Sequence, residues 1–258
     1  MKKEIVLFIL ISLILITSLI AIISSEGSDS SSATEWLMFG RTLNHSFWDG
    51  NNFSTILGLN NANFTTLYTI KSSPAVANGY VYLGTYEGNS GSDHNFYQLN
   101  ASNVSQQIGN FTGTNSFSSS VVANGYVYVE DINIFYQLNA SNVSQLIASF
   151  TGINSFCSTS VVSGGYVYIN DVGASSYQLN ASNVSQQIAI FTGILPEGRL
   201  GALDFCPSPA IYNQSIYTGV SYDNIFYQLN ASNVSQQLGN FTTGNYIESS
   251  PAISGGIL

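Results

Sequence analysis

The string Tyr-Gln-Leu-Asn-Ala-Ser-Asn-Val-Ser-Gln begins at Tyr97, Tyr136, Tyr177 and Tyr227, at spacings of 39, 41 and 50 residues. A second string precedes each copy: Ser-Ser-Pro-Ala-Val from Ser72, Ser-Ser-Ser-Val-Val from Ser118, Ser-Thr-Ser-Val-Val from Ser158 and Pro-Ser-Pro-Ala-Ile from Pro207. A fifth start, Ser-Ser-Pro-Ala-Ile, opens at Ser249. A chain that restates itself at this period folds as one supersecondary unit used several times, each unit burying its faces against the next.

Each unit reads as four short strands. The first is the Ser-Pro-Ala-Val segment. Asn78-Gly79, Asn124-Gly125 and Gly164-Gly165 follow it, and such dipeptides supply the positive φ of a tight hairpin. The second strand, Tyr-Val-Tyr-Val in type, is aromatic and β-branched. It is apolar on both faces, with Tyr80 and Tyr82 on one side and Val81 and Leu83 on the other, as suits a sheet held between two sheets. Phe-Tyr-Gln-Leu makes the third strand, Asn-Ala-Ser-Asn the next turn, and Val-Ser-Gln-Gln-Ile-x-x-Phe the fourth. Four strands at a period of about forty describe a propeller blade. No helical periodicity follows Glu35, which excludes a helical solenoid. The expected fold is an all-β propeller of four-stranded antiparallel blades. Four blades and the first strand of a fifth are present in an open or incomplete ring, behind an N-terminal hydrophobic helix.

At these residues the chain resembles the pyrroloquinoline-quinone-like (PQQ-like) β-propeller repeat family. Ser72-Ser73-Pro74-Ala75-Val76, Gly79, Val81-Tyr82-Leu83-Gly84 and Tyr97-Gln98-Leu99-Asn100-Ala101 follow that repeat, and Trp36-Leu37-Met38-Phe39-Gly40-Arg41 is similar to its opening. The resemblance runs from Trp36 to Leu258. It implies fold more than activity, because the family holds both quinone-dependent dehydrogenases and non-enzymatic scaffolds. The docking Trp of the family gives way to Phe111, Phe150, Phe191 and Phe241. By resemblance, a quinone enzyme needs a Ca²⁺ site, a carboxylate base and usually a vicinal cysteine pair. Cys157 and Cys206 are not adjacent, and both Trp residues precede the first blade.

Leu59-Asn60-Asn61-Ala62-Asn63-Phe64-Thr65 echoes Leu99 to Ser105, so the segment before the first blade reads as a lone fourth strand. Propellers close by letting such a strand complete the last blade, which removes open edges. The repeat pattern breaks off at Gly255-Gly256-Ile257-Leu258. The expectation is a truncated record of a ring of six to eight blades; the alternative is a four-bladed protein with a ragged tail.

Charged residues are only 7% of the chain, against about 25% in ordinary soluble domains. With 14 acids and 5 bases the net charge is −9, and beyond Lys2 and Lys3 the only bases are Arg41, Lys71 and Arg199. Phosphate neutralisation needs clustered bases, so nucleic acid is not an expected partner, nor is an anionic lipid surface. Lys2 and Lys3 precede an uncharged run from Ile5 to Ile23. At ~1.5 Å per residue, its length suits a bilayer core, and the basic flank stays cytoplasmic. Residues 1–25 therefore read as a signal peptide or transmembrane anchor, 26–35 as a Ser-rich linker, and 36–258 as exported propeller repeats. Ala21-Ile22-Ile23-Ser24-Ser25 is a poor cleavage site, and no cysteine follows the run to carry a lipid.

Fourteen Asn-x-Ser/Thr sequons are candidate glycan acceptors: Asn44, Asn52, Asn63, Asn100, Asn103, Asn110, Asn139, Asn142, Asn180, Asn183, Asn213, Asn230, Asn233 and Asn240. Asn-Ala-Ser-Asn is also plain turn chemistry. Cys157 and Cys206 occupy equivalent positions on successive blades, where inner strands converge, and form a candidate disulfide in an oxidising exterior; two buried thiols are the alternative. Glu87, Asp131, Asp171 and Asp223 recur between second and third strands, as a cation-binding rim or as turn formers. His45 and His94 have no ligand-like neighbours in sequence. No nucleophile–base pairing or phosphate loop is visible, so no catalytic residue, metal ligand or cofactor is assigned. The expected role is a non-catalytic module outside the cytoplasm, binding protein or glycan partners at the cell envelope and either attached to the membrane through its N-terminus or secreted. A quinoprotein dehydrogenase fragment and a glycosylated structural envelope component are the alternatives.

Overall fold

The structure is a computed structural model that describes residues 62–86, 94–194, 206–219 and 224–253. The N-terminal hydrophobic run, the linker, Asn44, Asn52, His45, Glu87, Arg199, Asp223 and the Gly255-Gly256 break lie outside the described residues.

The described residues are all β. A two-residue strand β1 (Thr69–Ile70) precedes four repeating sheets. Blade 1 comprises β2 (Ala75–Ala77), β3 (Tyr80–Tyr86), β4 (Asn95–Asn100) and β5 (Asn103–Thr112). Blade 2 comprises β6 (Val121–Ala123), β7 (Tyr126–Asp131), β8 (Ile134–Asn139) and β9 (Asn142–Thr151). Blade 3 comprises β10 (Val161–Ser163), β11 (Tyr166–Asn170), β12 (Ser175–Asn180) and β13 (Asn183–Thr192). Blade 4 comprises β14 (Ala210–Tyr212), β15 (Ser215–Gly219), β16 (Ile225–Asn230) and β17 (Asn233–Thr242). Every blade is an antiparallel meander in chain order, and β1 adds to the edge of β3.

Local chemistry explains the hairpins. Asn78 and Gly79 both take positive φ (53° and 79°), the conformation of a two-residue turn matched to strand twist. Blade 4 makes the same turn without glycine, at Asn213 (46°) and Gln214 (59°). The fourth strand of every blade carries a bulge opposite the Gln-Leu of its third strand. The extra residue is Ile108, Ile147, Ile188 or Leu238. A bulge twists the edge and blunts it against further pairing.

The core lies between blades. Second and third strands are buried on both faces, with Tyr82, Tyr128, Phe96, Phe135, Leu138 and Leu179 all fully covered. Successive outer strands touch, β5 to β9, β9 to β13 and β13 to β17, as do the inner strands β2, β6, β10 and β14. Gly84 marks one of these close approaches: a Cβ there would meet the Phe117 Cβ at 2.4 Å.

Beyond blade 4, residues 249–253 carry the expected first strand of a fifth blade. They run without ladder bonds, yet Ile253 is buried and Ser250 Oγ accepts the Ser208 N–H at 2.9 Å. Upstream of blade 1, one reading needs correction. The sequence echo pairs Phe64 with Val104, but Phe64 stacks edge-on against Tyr97 at 5.0 Å, as Phe111 does against Tyr136 at 4.9 Å. Asn63-Phe64-Thr65 thus stands where the end of a fourth strand, Asn-Phe-Thr, stands in the blades. A ring contact, not the turn spelling, sets the register.

Candidate binding surfaces

One device joins the blades, built from the second-strand Tyr, the third-strand Gln and the next blade's Asn-Ala-Ser-Asn turn. Tyr82 OH donates to the Ala140 carbonyl at 2.6 Å, Gln98 Nε2 donates to the same oxygen at 3.0 Å, and the Val143 N–H donates to Gln98 Oε1 at 3.2 Å. Tyr128 and Gln137 repeat this on Ala181 and Val184, and Tyr168 and Gln178 on Ala231 and Val234. Each clasp satisfies a turn carbonyl and a turn N–H that the packed interface hides from water. Burial raises the Tyr128 and Tyr168 hydroxyls well above the usual tyrosine value, and the neighbouring Tyr126 and Tyr166 add to the effect. They stay protonated donors. A ring contact completes each joint: Phe111 on Tyr136, Phe150 on Tyr177 at 5.5 Å, and Phe191 on Tyr227 at 4.7 Å.

In the first and last described blades some of these groups take part in no such joint among the described residues. In blade 4, Gln228 Nε2 turns back onto Ser215 Oγ at 3.0 Å and Tyr217 OH at 3.2 Å. Tyr217 and Gln228 are half-buried, where their counterparts in blades 1–3 are buried. Phe241 is 68% exposed beside a groove of about 380 Å³ lined by Phe226, Tyr246, Ile247 and Pro251. In blade 1, Ala101 is exposed and Val104 half-buried, whereas Ala140, Ala181, Ala231 and their valines are buried.

The perimeter is a different surface. The bulge residues Ile108, Ile147, Ile188 and Leu238 are between 39% and 50% exposed and recur once per blade. The sequon turns flank them. The N–H groups of Ser102, Ser141, Ser182 and Ser232 donate to the Oδ1 of Asn100, Asn139, Asn180 and Asn230, whose Nδ2 groups donate to Gln106, Gln145, Gln186 and Gln236. Ser105, Ser144, Ser185 and Ser235 close the same turn on Asn103, Asn142, Asn183 and Asn233. Asn110 donates to Asn95, while Asn63, Asn213 and Asn240 are exposed.

At the inner rim, Cys157 and Cys206 form a disulfide between blades 3 and 4, with Cα atoms 5.2 Å apart. Asp131 Oδ2 accepts both the N–H and the hydroxyl of Thr114. Asp171 accepts the N–H groups of Gly173 and Ser175, the Asn154 amide and the Tyr177 hydroxyl. Burial, with Asp171 alongside, pushes Tyr177 up to about 12. These carboxylates tie loops together, and among the described residues no three metal-ligating side chains gather. His94 Nδ1 lies 3.0 Å from the Asn115 carbonyl. Sequence reasoning passed over Glu130, which is fully buried and accepts from Ser118 Oγ. Burial drives its carboxyl well above the ordinary range, while the N–H groups of Glu130 and Ser160 oppose that shift. Its Oε1 has no partner, nor do the buried Ser120 Oγ, Ser160 Oγ and Asp131 Oδ1. The described residues do not gather a quinone-plus-Ca²⁺ site. The cysteines are 49 residues apart and bridge two blades, and the two rim aspartates are committed to loops.

No family model and no curated protein matches the chain. Among solved structures, BamB from Moraxella catarrhalis is similar at TM-score 0.55 and 9% identity, over 71% of this chain and 53% of that one. The computationally designed Ika4 protein aligns at TM-score 0.46 and 11% identity, over 60% of this chain and 88% of that one. The chain thus spans about half the length of the BamB chain. At 9% identity the likeness to BamB is one of fold, and with the four sheets it makes the fold a β-propeller of four-stranded antiparallel blades.

Proposed function

We propose that the chain is a non-catalytic propeller acting outside the cytoplasm as a binding or scaffold module for protein partners at the cell envelope. The observation that carries this reading is the perimeter row Ile108, Ile147, Ile188 and Leu238, an exposed aliphatic in every blade on a surface almost without charge. Regularly spaced apolar contacts with polar turns around them suit an extended protein ligand, by the general rule that large exposed apolar patches mark interaction sites. The likeness to BamB supports such a role by fold analogy alone. Attachment to the membrane through residues 1–25, glycan occupancy of the sequon turns and a glycan partner belong to the same proposal.

A photo-reactive residue at position 147, in cells producing the full chain, tests the reading. Specific protein adducts are expected, and Ile108→Asp with Ile188→Asp should abolish them. Adducts that persist unchanged in the double variant would sink the perimeter as the binding surface. Adding quinone and Ca²⁺ should leave activity and absorbance unchanged; dye reduction would instead establish an enzyme.

A further inference from the structure

Each blade passes from its third strand to its fourth through two sequons set back to back, and their two asparagines sit in different surroundings. The first, Asn100, Asn139, Asn180 or Asn230, is half-buried. Its Oδ1 accepts the N–H of the serine two positions on, and its Nδ2 donates to Gln106, Gln145, Gln186 or Gln236 at 2.8–2.9 Å. The second, Asn103, Asn142, Asn183 or Asn233, opens the outer strand. Asn183 is half-buried and the other three are exposed. Its Oδ1 accepts the N–H of Ser105, Ser144, Ser185 or Ser235, and no bond to the described residues holds its Nδ2. Ser105, Ser185 and Ser235 also donate their hydroxyls to that Oδ1 at 2.7 Å.

These differences bear on N-linked sugar transfer, for which Asn-x-Ser/Thr is the acceptor sequence. The Nδ2 attacks the anomeric carbon of a sugar carried on a polyprenyl pyrophosphate. The N–C bond forms, the C–O bond to phosphate breaks, the pyrophosphate leaves with the electron pair, and one amide proton passes to a base of the transferase. A hydroxyl bonded to Oδ1 makes the amide protons more acidic and eases that loss. A sugar on the first asparagine must share a half-buried nitrogen with its glutamine partner, and a buried polar group deprived of its bond is costly. A sugar on the second displaces no bond.

We propose that the second asparagine of each turn, Asn103, Asn142, Asn183 or Asn233, is the glycan acceptor, and that the first carries none. Asn142 takes less sugar than the other three, because Ser144 brings only its N–H to it. The sugars then stand one per blade at the heads of the outer strands, the strands that carry Ile108, Ile147, Ile188 and Leu238. The proposal rests on the export and glycan occupancy in the reading above, and goes beyond it by choosing the modified residue within each pair.

The test is site-resolved peptide mass spectrometry on the full chain recovered from eukaryotic secretory cells. Release of the sugars by peptide-N-glycosidase in heavy-oxygen water turns each occupied Asn into labelled Asp, which fragment spectra assign to the first or second asparagine. Labelling of Asn103, Asn183 and Asn233 should exceed that of Asn100, Asn180 and Asn230 at least ~5-fold, the factor one net hydrogen bond supplies. Ser102→Ala should leave the label on Asn103. Ser105→Ala should remove it from that turn without moving it to Asn100. Equal or greater labelling of the first asparagines, or transfer to Asn100 in Ser105→Ala, overturns the proposal while glycan occupancy itself stands. A chain without label at any of the eight overturns both, and leaves the protein adducts expected at position 147 as a separate matter.

Discussion

The joint between blades 2 and 3 and the open face of blade 4 are made of the same residue types in opposite states. Gln137 is fully buried and bonds the Ala181 carbonyl and the Val184 N–H; Gln228 is half-buried and bonds only within its own blade. Phe150 stacks on Tyr177, while Phe241 faces solvent. Blade 4 is nonetheless a complete four-stranded sheet with the register of the others. The comparison teaches that Tyr, Gln and Phe do not make the blade. They make the joint, and a blade folds with its joint residues unused.

The joint between blades 3 and 4 is the place for the largest effect, because a covalent link adds to its clasp. Replacing Cys157 and Cys206 by Ser opens a crosslink across 49 residues and should cost about 4 kcal/mol, read from the urea midpoint of the oxidised and variant proteins. Next comes Gln137→Ala. It orphans the Val184 N–H and removes one of two donors to the Ala181 carbonyl at a buried interface, and should cost about 1–3 kcal/mol. Tyr128→Phe removes one of two donors to Ala181 and should cost about 1 kcal/mol. The smallest effect is Gln228→Ala, expected within about 0.5 kcal/mol because the half-buried side chain bonds only Ser215 and Tyr217 of its own blade and bridges to no other. Equal costs for Gln137→Ala and Gln228→Ala would erase the contrast.

The same joint carries a pH signature. The Glu130 carboxyl sits in blade 2, reaches Ser160 of blade 3, and has its affinity for a proton raised by burial. Protonation is favoured in the folded state, so its stabilising contribution is complete below the ordinary value of 4.5 and falls as pH rises through the folded value. Glu130→Gln should flatten that slope in urea titrations above pH 4.5; an unaltered slope would assign it to other groups.

The blade was legible in the sequence because its signals are local. Asn78-Gly79 dictates a turn, and Tyr80 to Leu83 a strand covered on both faces. The clasp was not, because it joins residues 42 to 63 positions apart, and a Gln in alternation on a strand looks like a solvent-facing residue. Its one signal was that Gln98, Gln137, Gln178 and Gln228 recur inside otherwise apolar third strands. A polar side chain repeated at a buried position needs a repeated partner. Phe64 was misplaced for a related reason: spelling aligned it with Val104, whereas its ring finds Tyr97. Glu130 escaped notice because its blade 1 counterpart is Gly84, so no repeat announced it.

The most direct measurement is amide hydrogen exchange at Val184 in the unsubstituted chain and in Gln137→Ala. The Val184 N–H donates to Gln137 across the joint, and the Val234 N–H donates to Gln178 in the next. Exchange at Val184 should quicken at least ~10-fold in the variant, while Val234 stays protected, as loss of one local bond requires. Val184 protection that survives the loss of Gln137 would contradict the clasp as the element that joins the blades.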